Sequence, residues 1–195
     1  MEVFLIRHGE HHPPEPGLTE TGQFQARCLG ERLQSSGIDH IYTSPLERTL
    51  QTSAILRDYL PVGLDIWPEL REIEMGDCEN PGWDFVRANN PTFIAAFDAH
   101  TWDIPYPNGE SGQDVWARAW PRLLEIANSG WSRAAVVTHG GVIRVLVCGI
   151  LGLPQQHRFK LGSPPVNCGL TVLKTEPETG QFKLHVFNDY AHIHA

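Results

Sequence analysis

The chain has little of what nucleic-acid and membrane partners require. Its 195 residues carry 15 lysines and arginines against 23 aspartates and glutamates, a formal charge of −8. With no basic surplus there are few counterions to release, so neither nucleic acid nor an anionic membrane is expected as the main partner. Cysteine is scarce too: Cys28, Cys78, Cys148 and Cys168 lie far apart and form no Cys-x-x-Cys pair. That spacing argues against a zinc or disulfide framework and points to reduced thiols in a cytoplasmic protein. Long apolar runs are missing. Only four consecutive apolar residues precede Arg7, which is no secretory signal, and the longest run, around Val142 to Leu153, is broken by Arg144. Neither could span a bilayer. Prolines and glycines are dispersed, with no repeat or linker, so a single domain over residues 1–195 is expected.

What is present begins at once. The apolar run Val3-Phe4-Leu5-Ile6 leads into Arg7-His8-Gly9-Glu10, a buried strand emptying into a tight turn. Ligands of open α/β sheets bind at the carboxyl ends of strands. A guanidinium beside an imidazole there suits an anion such as a phosphoryl group. Taken alone, these residues serve equally well as a strand end facing water. A second copy of the layout weighs against that: Ala134 to Thr138 is a continuous apolar strand, followed by His139-Gly140-Gly141 and an apolar helix to about Leu151. Ser44-Pro45-Leu46-Glu47 predicts a third such corner, with Ser44 as N-cap, Pro45 at the first helical position, Glu47 closing a capping box and Arg48 in the first turn. Helix amino termini offer unpaired N–H groups and a favourable dipole to an anion.

Between these corners the pattern alternates strand and helix. Thr19 or Thr21 opens a helix with Ala26, Leu29, Gly30 and Leu33 on one face and Gly37 as its stop. Ile41–Thr43 and Leu64–Trp67 read as strands, and a helix from Ser44 runs towards Tyr59. Ser111 caps a helix burying Val115, Ala119, Leu123 and Ile126, kinked at Pro121. Leu170–Lys174 and Phe182–Phe187 read as two last strands joined at Glu178-Thr179-Gly180. The segment at about 77–110 differs: it holds six aromatics (Trp83, Phe85, Phe93, Phe97, Trp102, Tyr106) and no sustained strand pattern. The expected architecture is α/β and three-layered, a mostly parallel central sheet with helices on both faces and an inserted helical lid.

In order and spacing, these motifs resemble the histidine phosphatase superfamily, the phosphoglycerate-mutase-like enzymes. The resemblance runs through Arg7-His8-Gly9-Glu10, Leu18 to Gly22, Tyr42 to Thr49, Glu69-Leu70-Arg71-Glu72 with Gly76, Asn108 to Ser111, Thr138 to Arg144 and Asn188 to His192. Within the family the short bacterial α-ribazole-phosphate and broad-specificity phosphatases are most similar. The resemblance implies that His8 is a nucleophile that becomes phosphorylated. It implies that Arg7, Arg48, His139 and Gly140 hold the phosphate with it, and that Glu72 is the proton donor. Chemistry agrees. A nucleophilic imidazole must be neutral, its second nitrogen donating a hydrogen bond, and two arginines with a protonated His139 would offer up to three positive charges to a dianion. Glu72 must hold a proton, so its pKa should be raised; Glu74 and Glu110 are the runner-up donors. Arg144 reads as a ligand or as an ion-pair former at the core edge. His11 and His12 flank prolines and lack partners at ligand spacing, so no metal and no cofactor is expected. His192 lies in the terminal motif, though His192-Ile193-His194 reads as surface.

The chain also departs from the family pattern. His11 stands where many members have Thr or Ser, Pro14 where they have asparagine, and Ile73 where the mutases have a second arginine after the glutamate. Segment 77–110 adds Asp77, Glu79, Asp84, Asp98, Asp103 and Glu110 against the lone Arg87. An acidic, aromatic lid over the pocket would oppose a substrate carboxylate or second phosphate. The expected function is therefore hydrolysis of a small phosphate monoester with a neutral body, water discharging the phosphohistidine without a metal. A cofactor-dependent phosphoglycerate mutase and a non-catalytic phospho-ligand module are the alternatives. A homodimer is open to the chain, and nothing in the sequence decides it.

Overall fold

A computed structural model describes residues 1–13, 15–176 and 179–193. Six strands form one sheet: β1 (Glu2–Arg7), β2 (His40–Thr43), β3 (Gly63–Ile66), β4 (Arg133–Thr138), β5 (Leu170–Thr175) and β6 (Phe182–Asp189). Their order is β3-β2-β4-β1-β5-β6. The first four in that order are parallel, and only β5 is reversed.

Strand alternation sorts β1 between two cores. Val3 and Leu5 enter one cluster with Val115, Leu123 and Ile126 of α5 (Gly112–Ala127) and Val142 to Val147 of α6 (Gly140–Ile150). Phe4 and Ile6 enter the other with Ala26, Leu29 and Leu33 of α1 (Glu20–Leu33) and Leu56 of α2 (Glu47–Tyr59). Buried strands covered on both faces produce near-continuous apolar runs, as the sequence of β1 and β4 displays. Two further helices, α3 (Trp83–Asn89) and α4 (Pro91–Ala99), fall inside the segment expected to be helical.

Thr19 is the N-cap of α1, accepting from the Gly22 N–H at 3.0 Å. Ser111 and Asp114 form a full capping box on α5, which runs through Pro121 as one helix. At α2 the expectation fails. The N-cap is Leu46 with no side-chain bond, Pro45 lies outside the helix, and Glu47 accepts instead from Gln51 at 2.8 Å. The Ser44 hydroxyl accepts from the Leu46 N–H at 3.4 Å, ahead of the helix, and not from its first turn. Of the residues read from sequence, Pro14, Glu178 and His194 lie outside the described ones.

Candidate active site

Strand register assembles the site. In the parallel pair β1–β4 Arg7 lies opposite Thr138, and in β4–β2 Val137 lies opposite Thr43. The residues that follow, His8, His139 and Ser44, therefore leave the sheet side by side at its carboxyl edge. The two imidazoles stand 5.1 Å apart between centroids and are 2% and 0% exposed.

His8 is held in one tautomer. Its Nδ1 lies 2.7 Å from the Gly9 carbonyl oxygen, and a carbonyl only accepts, so Nδ1 carries the proton and Nε2 the lone pair. Arg48 Nε donates to that Nε2 at 3.2 Å. Burial, with Arg48 and Arg7 nearby, pushes the His8 pKa down to about 3, so the ring is neutral at physiological pH. Its backbone is fixed by contacts that sequence reasoning missed: Asn167 donates to the His8 carbonyl at 2.9 Å, and the Gly9 N–H donates to Thr52 Oγ1 at 3.0 Å. A hydroxyl and an amide so far along the chain leave no local signal.

Ser44 Oγ and His139 Nε2 are 2.8 Å apart. The His139 Nδ1 is buried with no acceptor among the described residues. Burial first, then His8, Arg48, Arg118 and Arg7, holds its pKa well below the ordinary histidine value. Burial and its cationic neighbours thus disfavour the protonated His139 expected from sequence, and Arg7 and Arg48 are the arginines beside the two rings.

Glu72 is carried in by the segment after Leu70, whose carbonyl accepts from Thr138 Oγ1 at 2.7 Å. Its carboxyl accepts from the Ile73 N–H at 2.9 Å and the Gly141 N–H at 3.3 Å. A Cβ on Gly141 would sit 2.5 Å from Glu72 Oε1, so only glycine admits this approach to the start of α6. Part of Glu72 faces the cleft, yet protein closes round its carboxyl. Burial raises its pKa against the pull of the two N–H donors, Arg48 and Arg7. The alternatives are placed differently. Glu110 accepts from Arg118 at 2.8 Å and Arg71 at 3.0 Å; burial pushes its pKa up, but these bonds outweigh burial and lower it. Glu74 is exposed.

Beside the histidines opens a cleft of about 260 Å³ lined by Arg7, Glu72, Gly140, Tyr106, Arg144 and Arg158 among others. Arg7 spans from the phosphate corner into it, donating to the Pro165 carbonyl at 2.6 Å. The acidic lid expected from sequence is not what faces this space. Glu110 is bound by two arginines, Asp103 pairs with Arg158, Asp77 accepts from Asn108, and Asp84 pairs with Arg87. Of these acids Glu79 acts on Arg48, behind the stronger effect of Glu72. The aromatic residues mostly pack on one another, with Phe97 5.3 Å from Trp83 and 5.5 Å from Tyr106. Only Tyr106 of the six lines the cleft. Segment charge misled because Glu110, Asp84 and Asp103 are paired with arginines and none of the six acids lines the cleft, whereas Arg144 of α6 and Arg158 do.

His11 lies edge-on to His8 at 5.2 Å, and exposed His12 lies 3.6 Å from Glu10. Among the described residues no three His, Cys, Asp or Glu side chains gather as metal ligands. His192 lies behind this cluster, 3.1 Å from the carbonyl oxygen of Cys168, whose N–H donates to the Arg7 carbonyl at 2.9 Å, and it is tied to Arg32.

Comparisons with known proteins converge. The family described as the histidine phosphatase superfamily (branch 1) matches residues 3–189. A curated relative from Enterobacter sp. (strain 638), named probable phosphoglycerate mutase GpmB, is 34% identical over 88% of this chain and 83% of its own. The structure of a mycobacterial glucosyl-3-phosphoglycerate phosphatase with inorganic phosphate superposes with a TM-score of 0.85, at 27% identity over 98% of both chains. The α-ribazole phosphatase of Shigella flexneri shares the fold at a TM-score of 0.80, with 23% identity over 97% of both chains. The chain belongs to the histidine phosphatase superfamily, branch 1.

Proposed function

We propose that the protein is a phosphomonoesterase that works through a phosphohistidine, without a metal. The observation that carries this reading is the state of His8: neutral, Nδ1 locked on the Gly9 carbonyl, and its Nε2 lone pair facing the guanidinium of Arg48. In the first step Nε2 attacks phosphorus, the ester P–O bond breaks, and Glu72 gives its proton to the leaving oxygen. Arg7 and Arg48 take up the charge spread over the equatorial oxygens, with Gly140 and His139 closing the pocket. In the second step water attacks phosphorus, the P–N bond breaks, and Glu72 recovers the proton. We place the α3–α4 segment as a lid within one domain spanning residues 1–195. The free state of all four cysteines fits a reducing, cytoplasmic setting, and the cleft of about 260 Å³ fits a small phosphate ester as partner.

Rapid quench with labelled substrate should trap an acid-labile, base-stable phosphoenzyme at His8, and His8→Ala should lose several orders of magnitude in turnover. Normal turnover in that variant would overturn the proposal. The relative named probable phosphoglycerate mutase favours the mutase reading, which a product assay tests: efficient interconversion of 2- and 3-phosphoglycerate with little inorganic phosphate released would replace hydrolysis by phosphoryl return.

A further inference from the structure

Arg144 is a cation without an anion. It sits one turn into α6 and lines the cleft, yet no carboxylate among the described residues lies within ion-pair distance of it. The core-edge ion pair considered from sequence is absent there. Its hydrogen bond runs from Nη2 to the Gly162 carbonyl, while its Nε is buried with no acceptor. The guanidinium stacks 5.6 Å from the Phe159 ring, whose centroid is also 4.4 Å from Arg158. Arg158 is neutralised by Asp103. Arg144 has no such partner. Its charge is close enough to Arg158, Glu72 and Arg7 to interact with each, and burial lowers its pKa. An unpaired, partly desolvated guanidinium among other cations is unfavourable unless an anion meets it.

The order of groups along the cleft says what that anion belongs to. Phosphate would sit at His8, Arg7 and Arg48, the leaving oxygen at Glu72, and the rest of the substrate beyond Glu72, towards Arg144, Tyr106 and Phe159. Resting on the phosphomonoesterase reading, we infer that Arg144 is a specificity-determining residue that binds a carboxylate on the alcohol part of a small phosphate monoester. A guanidinium fork matches a carboxylate with two parallel donors. The cleft of about 260 Å³ is at the small end for ligand sites, which favours a short hydroxy-acid body over a nucleoside or a polyprenyl chain. The class is thus a phosphorylated hydroxy acid, opposite to the neutral body expected from the acidic segment.

The test compares two esters of similar size, 3-phosphoglycerate and glycerol 3-phosphate, by release of inorganic phosphate from wild-type protein, Arg144→Met and Arg144→Lys. Wild type should favour the acid by about 10–100-fold in kcat/KM, the worth of a charged hydrogen-bonded contact. Arg144→Met should lose that preference chiefly through KM for the acid, and Arg144→Lys should recover part of it. Vanadate should still inhibit both variants, which separates loss of this contact from collapse of the pocket. Equal rates on the two esters in wild type, or equal losses on both in Arg144→Met, would overturn the inference while leaving the phosphomonoesterase standing. Failure of wild type to release phosphate from either ester or from an aryl phosphate would instead remove the underlying reading.

Discussion

Replacing Glu72 by glutamine separates proton donation from everything else the site does. The carboxyl accepts two backbone N–H bonds, from Ile73 and Gly141. Glutamine has one acceptor oxygen, so one of those N–H groups would face an NH₂ and lose its partner, at a cost of about 1–3 kcal/mol in stability. Arg7, Arg48 and His8 make none of their hydrogen bonds to Glu72, so phosphate affinity should change little. The proton is what disappears. For an alkyl ester, whose alkoxide leaves poorly, the variant should lose about 10²–10⁴-fold in kcat, the usual worth of a positioned general acid. For an aryl ester with an acidic phenol, the first step needs no proton, and the loss in kcat/KM should stay within about tenfold, while kcat falls further because Glu72 also takes the proton from water in the second step. The pH dependence follows the raised pKa of Glu72. With alkyl esters the wild-type rate should fall as pH rises through that pKa, because the acid form is lost, and Glu72→Gln should lack this limb. Steady-state kinetics on a paired alkyl and aryl series would decide it. Uniform loss of kcat/KM across both series, or a larger effect from Glu74→Gln or Glu110→Gln, would refute the assignment.

Other outcomes follow from the same geometry. Since arginines supply the positive charge, activity should survive excess EDTA and be strongly inhibited by vanadate; loss on chelation and return with zinc or magnesium would contradict this. His8 stays neutral in the folded chain down to about pH 3, whereas unfolded it takes up a proton near its ordinary pKa of about 6.5. Stability should therefore fall as pH drops below that value, His8 accounting for about 2 kcal/mol between pH 7 and 5. Chemical denaturation of His8→Asn should show a correspondingly shallower decline, and an unchanged slope would count against the buried neutral ring. Ser44→Ala removes the only hydrogen-bond partner found for His139 Nε2 among the described residues. It should lower stability by about 1–3 kcal/mol and weaken phosphate binding, whereas a mere capping role would leave phosphate binding untouched.

The sequence by itself determined the layers and the corners. Apolar runs such as Val3–Ile6 and Ala134–Thr138 are buried on both faces, so their periodicity specifies strand and setting directly, and the turns that follow place His8 and His139 at the sheet edge. Capping chemistry is equally local, which is why Thr19 and Ser111 were legible. Only the tertiary structure decided what contacts those residues make. Ser44 carries a strong helix-start pattern, yet α2 begins only at Glu47, and register across β2, β4 and β1 brings His139 to the Ser44 hydroxyl. The protonation state of His139 depends on desolvation and on Arg7, Arg48 and Arg118 converging from separate segments. The charge of the cleft was least visible of all. Counting acids over 77–110 assigns it a negative sign, but electrostatics acts over a few ångströms of folded space: Asp103 is neutralised by Arg158, Glu110 by Arg71 and Arg118, and Arg144 lines the cleft with no ion-pair partner among the described residues.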